Sequence, residues 1–321
     1  MGNKEVVRKL LDRGIMVSPG TLERMKNSSI GDFLGAASSS RCAVISEDDG
    51  ATLKCSVAPA RPPAELTTGD VAAAQTEKFE KIRKMILRKV SAVSINNAGR
   101  QSSKLCIVGM VKEKTGSGFV IEDGTGEIEV RSDEPAEPDD VIGVKGWVRD
   151  GRLFAEETVY PDVPMSREAG ALPGSILLSC DPGAKPSGPE VVISPFSAAG
   201  GGADSQLPNP AWICLEKGGS AVTMLVYRAN GPAGKQAAIS WLRKRYIGPD
   251  RLPAPSKDRI LESVPDIFWV VGDGGSWREN YKGVTILSLG KGCSARIDLG
   301  SKEVSISEPA PSAQALDKPA G

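Results

Sequence analysis

Residues 264–290 read VPDIFWVVGDGGSWRENYKGVTILSLG, and this stretch fixes the fold class. Ile267–Val271 is a short run without a polar side chain, closed by Pro265-Asp266 in front and Gly272-Asp273-Gly274-Gly275 behind. That is the pattern of a strand buried on both faces, as parallel strands of α/β sheets are. A polar loop is expected next, and then a second buried strand at Val284–Leu289. Open α/β sheets take their ligands at loops that follow the carboxyl ends of central strands, so the glycine cluster marks the first place to look for a site.

Working outward, Ile176–Ser179 and Val191–Ser194 read as two more buried strands. Trp212–Tyr227 reads as a hairpin, Ala237–Arg245 as an amphipathic helix, and Ala295–Gly300 with Glu303–Ile306 as a closing hairpin. Upstream, Lys104–Val111, Gly118–Asp123, Glu127–Ser132, Asp140–Arg149 and Leu153–Tyr160 form five short strands. Asp123-Gly124-Thr125-Gly126 gives the tight turn between the second and third. Five strands punctuated by glycine suit an OB-fold barrel.

These words resemble one family, the small subunit of archaeal family-D DNA polymerase, related to the B-subunits of eukaryotic replicative polymerases. The resemblance rests on Val264-Pro265-Asp266-Ile267-Phe268, Tyr281-Lys282-Gly283-Val284, Val108-Gly109-Met110-Val111 and Tyr160-Pro161-Asp162-Val163-Pro164. It implies a mixed α/β and all-β chain: a small helical module at residues 1–27, a basic helix with the OB-fold at 77–165, and a truncated calcineurin-like phosphoesterase domain, an α/β sandwich, at 174–306. Residues 28–76, rich in Ala, Ser, Gly, Pro and Asp, read as a flexible tether, and the polar residues 307–321 as a disordered tail.

The same resemblance locates the family's metal ligands, and this chain departs from each. Cys180 stands where the first strand should end in an aspartate, and Pro182 where a histidine should follow. Asp181 is one residue out of register and so faces the other way on a strand. Ala198 and Ala199 replace a histidine-aspartate pair, Arg228 a histidine, and Asp273 and Gly275 the two histidines of the glycine cluster. The crossover between Cys180 and Val191 is too short for a full strand–helix unit, so the loop with the bridging carboxylate is expected to be missing. The implied divalent metals are therefore expected to be lost, and no cofactor is expected.

Composition agrees. Histidine is absent from the 321 residues, which removes imidazole ligands and excludes Ser-His-Asp and Cys-His catalysis. Forty basic residues balance forty acidic ones, whereas a protein held to DNA mainly by its own phosphate contacts is normally basic. The six cysteines form no C-x-x-C pair, which points to reduced thiols, and no apolar run has membrane-spanning length. A cytoplasmic protein is expected.

Three charged or helical stretches carry two readings each. Asn3–Arg13 and the helix opened by Ser18-Pro19 suit a docking module better than a DNA-reading pair, because basic residues are sparse where base edges would be met. Glu77–Val90 carries six cations around an apolar stripe of Phe79, Ile82, Met85 and Ile86. It reads as a solvated face on a packed helix or as an electropositive surface near DNA, and the first needs no ligand. Lys244 and Arg245 are candidates for a phosphate contact, or a solvated helix end.

The expected function is a non-catalytic accessory subunit that scaffolds the large catalytic polymerase subunit in a heterodimer or larger complex, with DNA met through the complex. Two alternatives stay open. One is a 3′–5′ exonuclease on single-stranded DNA, as the intact family implies. The other is a stand-alone single-strand-binding OB protein, for which Phe119, Trp147, Phe154 and Tyr160 are the available stacking residues.

Overall fold

Alanine-rich sequence in front of residue 77 is where helix actually starts, and the cause is local. In this computed structural model, helix α1 (Thr68–Leu87) opens on a capping box: Thr67 Oγ1 accepts the Asp70 N–H, and the Asp70 carboxylate accepts the Thr67 N–H. Val71-Ala72-Ala73-Ala74-Gln75 then carries the helix forward, since alanine has the highest helix propensity. The helix expected at Glu77–Val90 thus begins inside the stretch read as a tether. Two strands also fall within that stretch, β2 (Cys42–Asp48) and β3 (Ala51–Val57), preceded by β1 (Met16–Val17).

The structure describes residues 16–17, 42–48, 51–57, 67–100, 103–180, 191–195, 207–248 and 259–308. Apart from β1, the helical module expected at 1–27 lies outside them, as does the tail from residue 309. By contacts the chain divides into two units. One takes Met1–Arg61, Ser166–Lys235 and Pro265–Gly321, and the other takes Pro62–Met165 and Gln236–Val264.

The second unit holds a short helix α2 (Ile95–Ala98) and strands β4 (Leu105–Thr115), β5 (Gly118–Asp123), β6 (Gly126–Arg131), β7 (Val141–Arg149) and β8 (Arg152–Val159). They close a barrel in the order β4-β5-β6-β8-β7, an OB-like connectivity. Alternation puts Ile107, Phe119, Ile121, Val130, Ile142 and Leu153 inside. Asp123 holds the β5–β6 turn: Oδ1 accepts the Thr125 and Gly126 N–H groups at 2.7 and 3.1 Å, and Oδ2 accepts the Ile95 N–H of α2 at 3.0 Å. Gly146 is required by close approach, because a Cβ there would lie 1.9 Å from the Phe154 carbonyl oxygen. Ile82 and Ile86 of α1 pack on Val108, Val141 and Val159, together with Tyr246 and Ile260.

The other unit continues with β9 (Ser175–Ser179), β10 (Val191–Ile193), β11 (Ala211–Lys217) and β12 (Ser220–Arg228). Helix α3 (Lys235–Lys244) belongs, from Gln236 on, to the barrel unit. The two-sheet unit resumes with β13 (Ile267–Val271), β14 (Trp277–Tyr281), β15 (Val284–Leu289), β16 (Ser294–Asp298) and β17 (Val304–Ser307). One sheet has the order β1-β2-β3-β11-β12-β13-β15-β14, with β12, β13 and β15 parallel. A second sheet has the order β10-β9-β16-β17, with β9 and β10 parallel. Both sheets feed one core, in which Ile176, Leu178 and Ile193 meet Met224, Trp269 and Leu287.

Every side chain of β13 and β15 is buried, Thr285 and Ser288 among them, as in strands covered on both faces. The segment between them is not only loop. Trp277–Tyr281 pairs antiparallel with β15 at the sheet edge, alternating half-buried Trp277, Glu279 and Tyr281 with exposed Arg278 and Asn280. Charged residues suit an exposed edge and hide its strand pattern.

Candidate functional site at the carboxyl rim of the parallel strands

Parallel pairing brings the ends of β12, β13 and β15 side by side at Arg228, Val271 and Leu289. The Ala229 N–H donates to Val271 O at 2.8 Å and keeps the first two together past their last residues. The second sheet reaches the same rim. The Cys180 N–H donates to Cys293 O at 3.0 Å, and Cys180 Sγ lies 3.6 Å from Leu289 O. The Arg228 guanidinium donates to Pro195 O, just past β10, at 2.8 Å. Asn209 locks Arg228 in place by accepting its N–H at 2.8 Å and donating to its carbonyl at 2.9 Å.

The glycine cluster lies over this rim. Gly272 and Gly274 sit against the Gly231 and Ala233 backbone, where an added Cβ would meet a carbonyl oxygen at 3.0 and 3.1 Å. Gly275 has φ +75°, in the left-handed region that glycine tolerates. Ser276 Oγ accepts the Gly290 N–H at 2.9 Å, which ties the loop to the end of β15.

Four of the seven expected stations, Cys180, Arg228, Asp273 and Gly275, therefore belong to one rim. Pro182, Ala198 and Ala199 lie outside the described residues, as does Asp181. The donors present do not suit a divalent cation. Cys180 is 5% exposed, and burial, with Cys293 beside it, pushes its thiol up to about 11. A thiol is also a soft ligand where a hard cation such as Mg²⁺ or Mn²⁺ prefers carboxylate and carbonyl oxygens. Arg228 is a cation held by a carbonyl, Gly275 offers no side chain, and Asp273 is exposed on the loop. Among the described residues no group of three Cys, Asp or Glu is placed to hold a metal ion.

The residue that does most in the Val264-Pro265-Asp266-Ile267 words is structural. Asp266 is buried, and Oδ1 accepts the Gly170 N–H at 2.8 Å and the Arg167 guanidinium. Oδ2 accepts the Thr223 N–H at 2.7 Å and the Thr223 hydroxyl at 3.0 Å. One carboxylate thus fastens residues 167–170 to β12 at the entry to β13. Gly170 has no room for a side chain, since a Cβ would lie 2.0 Å from Ala221 O. The sequence signal for this cluster was an acid beside a fully apolar strand; its partner Arg167 is 99 residues away.

Lys244 and Arg245, candidates for phosphate, are committed elsewhere. Lys244 Nζ lies 2.8 Å from the buried Asp140 carboxylate. Arg245 is buried, and its guanidinium donates to Leu261 O at 2.6 Å and Glu262 O at 2.7 Å. The cations of α1 are likewise not all on a solvated face. Lys78 is buried with its ammonium 4.0 Å from the centre of the Tyr246 ring, and Lys81 bridges Glu77 and Glu262. Of the four barrel aromatics, Phe119 and Tyr160 are core, Phe154 is half-buried and Trp147 is exposed.

Fold and rim together define a class: an OB-like barrel unit and a two-sheet α/β unit whose parallel strands end at a glycine loop. Over 100 residues the chain is 34% identical to the DNA polymerase II small subunit of Archaeoglobus fulgidus. The match takes in 28% of this chain and 20% of that protein, so the chain spans about a fifth of the length of the relative it matches. No family model matches the chain. The resemblance to the polymerase small subunit is thereby supported by sequence identity. Among the described residues no helix is long and apolar enough to cross a membrane.

Proposed function

We propose that this chain is a non-catalytic accessory subunit of a replicative DNA polymerase. It scaffolds the large catalytic subunit in a heterodimer or larger assembly in the cytoplasm, and DNA is met through that complex. The observation that carries the reading is the identity to a DNA polymerase II small subunit combined with the rim's donor set. A relative's place in a polymerase suggests the partner, and Cys180, Arg228 and Gly275 in the ligand stations argue against hydrolysis at that rim.

In this reading the two-sheet unit is a shortened calcineurin-like phosphoesterase scaffold, kept for its shape. Supporting it are the parallel strands β12, β13 and β15, the parallel pair β9 and β10, and the convergence of their ends. Asp266 supports that reading of a kept shape, because its carboxylate ties residues 167–170 to β12 at the entry to β13.

Co-expression with the large polymerase subunit followed by gel filtration tests the proposal. Co-elution at micromolar concentration is expected. Separate elution of the two chains at that concentration contradicts it.

A further inference from the structure

Three neighbouring strands line up Trp147, Phe154 and Arg131 on the outside of the barrel. Trp147 of β7 is the register partner of Phe154 on β8, and Phe154 is the register partner of Arg131 on β6. Their chain neighbours Leu153 and Val130 are fully buried, so this row faces outward. Trp147 is 44% exposed, a large apolar ring left in water. Opposed residues in a sheet stand about 5 Å apart at Cβ, so the two rings form one continuous surface. Gly146 lets β7 and β8 close up at this point, where any side chain would strike Phe154 O.

The charges around the rings are uneven. Glu127, Glu156 and Glu157 are each matched by a lysine, at Lys112, Lys104 and Lys145. Glu129, by contrast, serves two guanidiniums, Arg131 at 3.2 Å and Arg152 at 2.8 Å. One positive charge is therefore in surplus beside Phe154. Arg149 is 77% exposed and pairs at 3.5 Å with its chain neighbour Asp150, itself 84% exposed. Such exposed pairs are weak and yield readily to a phosphate.

We propose that this row is a stacking platform for single-stranded nucleic acid. Two bases stack on Trp147 and Phe154, and the backbone runs past Arg131, Arg152 and Arg149. Stacking on an open ring accepts any base and rejects a duplex, whose bases are already stacked. The position suits the barrel, since Arg131 is on its third strand and residues 149–152 form the loop between its fourth and fifth. The inference stands on the barrel surface alone: the row contacts a single strand directly, and in the proposed complex it takes the strand that the polymerase brings to it.

The full chain is titrated at low salt with fluorescein-labelled oligo(dT) and oligo(U) of about twelve nucleotides, a length within OB site sizes, and with a duplex of equal length. Saturable binding of single strands, absent for duplex, is expected. Trp147→Ala and Phe154→Ala each weaken it about fivefold or more, while Trp147→Phe keeps most of it. Arg131→Ala lowers the salt slope by about one. Tighter binding of oligo(dT) assigns DNA, and tighter binding of oligo(U) assigns RNA. No binding, duplex bound as well as single strand, or an unchanged affinity in Trp147→Ala overturns the proposal. So does a Trp147→Ala chain that keeps oligonucleotide but loses a protein partner. Circular dichroism of each variant checks that the barrel remains folded.

Discussion

Asp266 and Thr223 hold each other twice: the Asp266 N–H donates to Thr223 O at 2.8 Å, and the Thr223 N–H donates to the Asp266 carboxylate at 2.7 Å. The same carboxylate takes the Arg167 guanidinium, with both side chains well buried. Removing one member of a buried pair strands the other in a poor solvent, which costs more than the pair contributes. Asp266→Ala is expected to destabilise its unit by about 3–5 kcal/mol in urea unfolding. Asp266→Asn keeps acceptors for the N–H groups and should lose less. A loss below about 1 kcal/mol for the alanine variant contradicts the role given to Asp266.

The β5–β6 turn makes the barrel acid-sensitive in one direction. Partial burial disfavours the Asp123 carboxylate, but hydrogen bonds from Thr125, Ile95 and Gly126 outweigh it and hold its pKa below 3.8. The folded pKa is thus below the unfolded one. Its contribution is fully present above the unfolded value and is lost as pH falls through the folded value. Asp123→Asn should flatten the loss of barrel stability between about pH 5 and pH 2, measured by chemical denaturation at each pH. An unchanged acid slope rules this source out.

Thiol labelling reads how closely the rim and the barrel are packed. Cys180 and Cys106 are both pushed up to about 11, chiefly by burial. Native protein treated with a thiol reagent at about pH 8 should leave both unlabelled, and denatured protein should label both, as peptide mass spectrometry reads. Rapid native labelling of Cys180 would mean an open rim, against the burial described above.

Divalent cations give a second check. A ligand that binds only the folded state raises the melting temperature with its concentration. Millimolar Mn²⁺ is expected to leave it unchanged and to bring no digestion of single-stranded DNA. A clear rise, abolished by Asp273→Ala, would restore the exonuclease reading.

Much of this was legible in the sequence where a pattern is local. The bounds of β13 follow from an apolar run closed by Pro265-Asp266 and the glycine cluster, those of β15 from Gly283 and Gly290, and the barrel strands from alternation and the Asp123 turn. What failed needed distant partners or competing signals. Arg245 reads as an exposed helix end, yet two carbonyls from 261–262 draw it inside. The tether composition of residues 68–76 concealed good helix formers, which only the Thr67 cap sets in motion. At the rim, the expected stations could be named one by one from the resemblance. That Cys180, Leu289 and Cys293 meet could not, because it depends on register between β9 and β16.

The most direct test is primer extension by the large polymerase subunit with and without this chain. Added in equimolar amount, the chain should raise extension, and should do so equally after chelation and re-addition of Mg²⁺ to the polymerase alone. Extension by the large subunit that is indifferent to the chain contradicts the account.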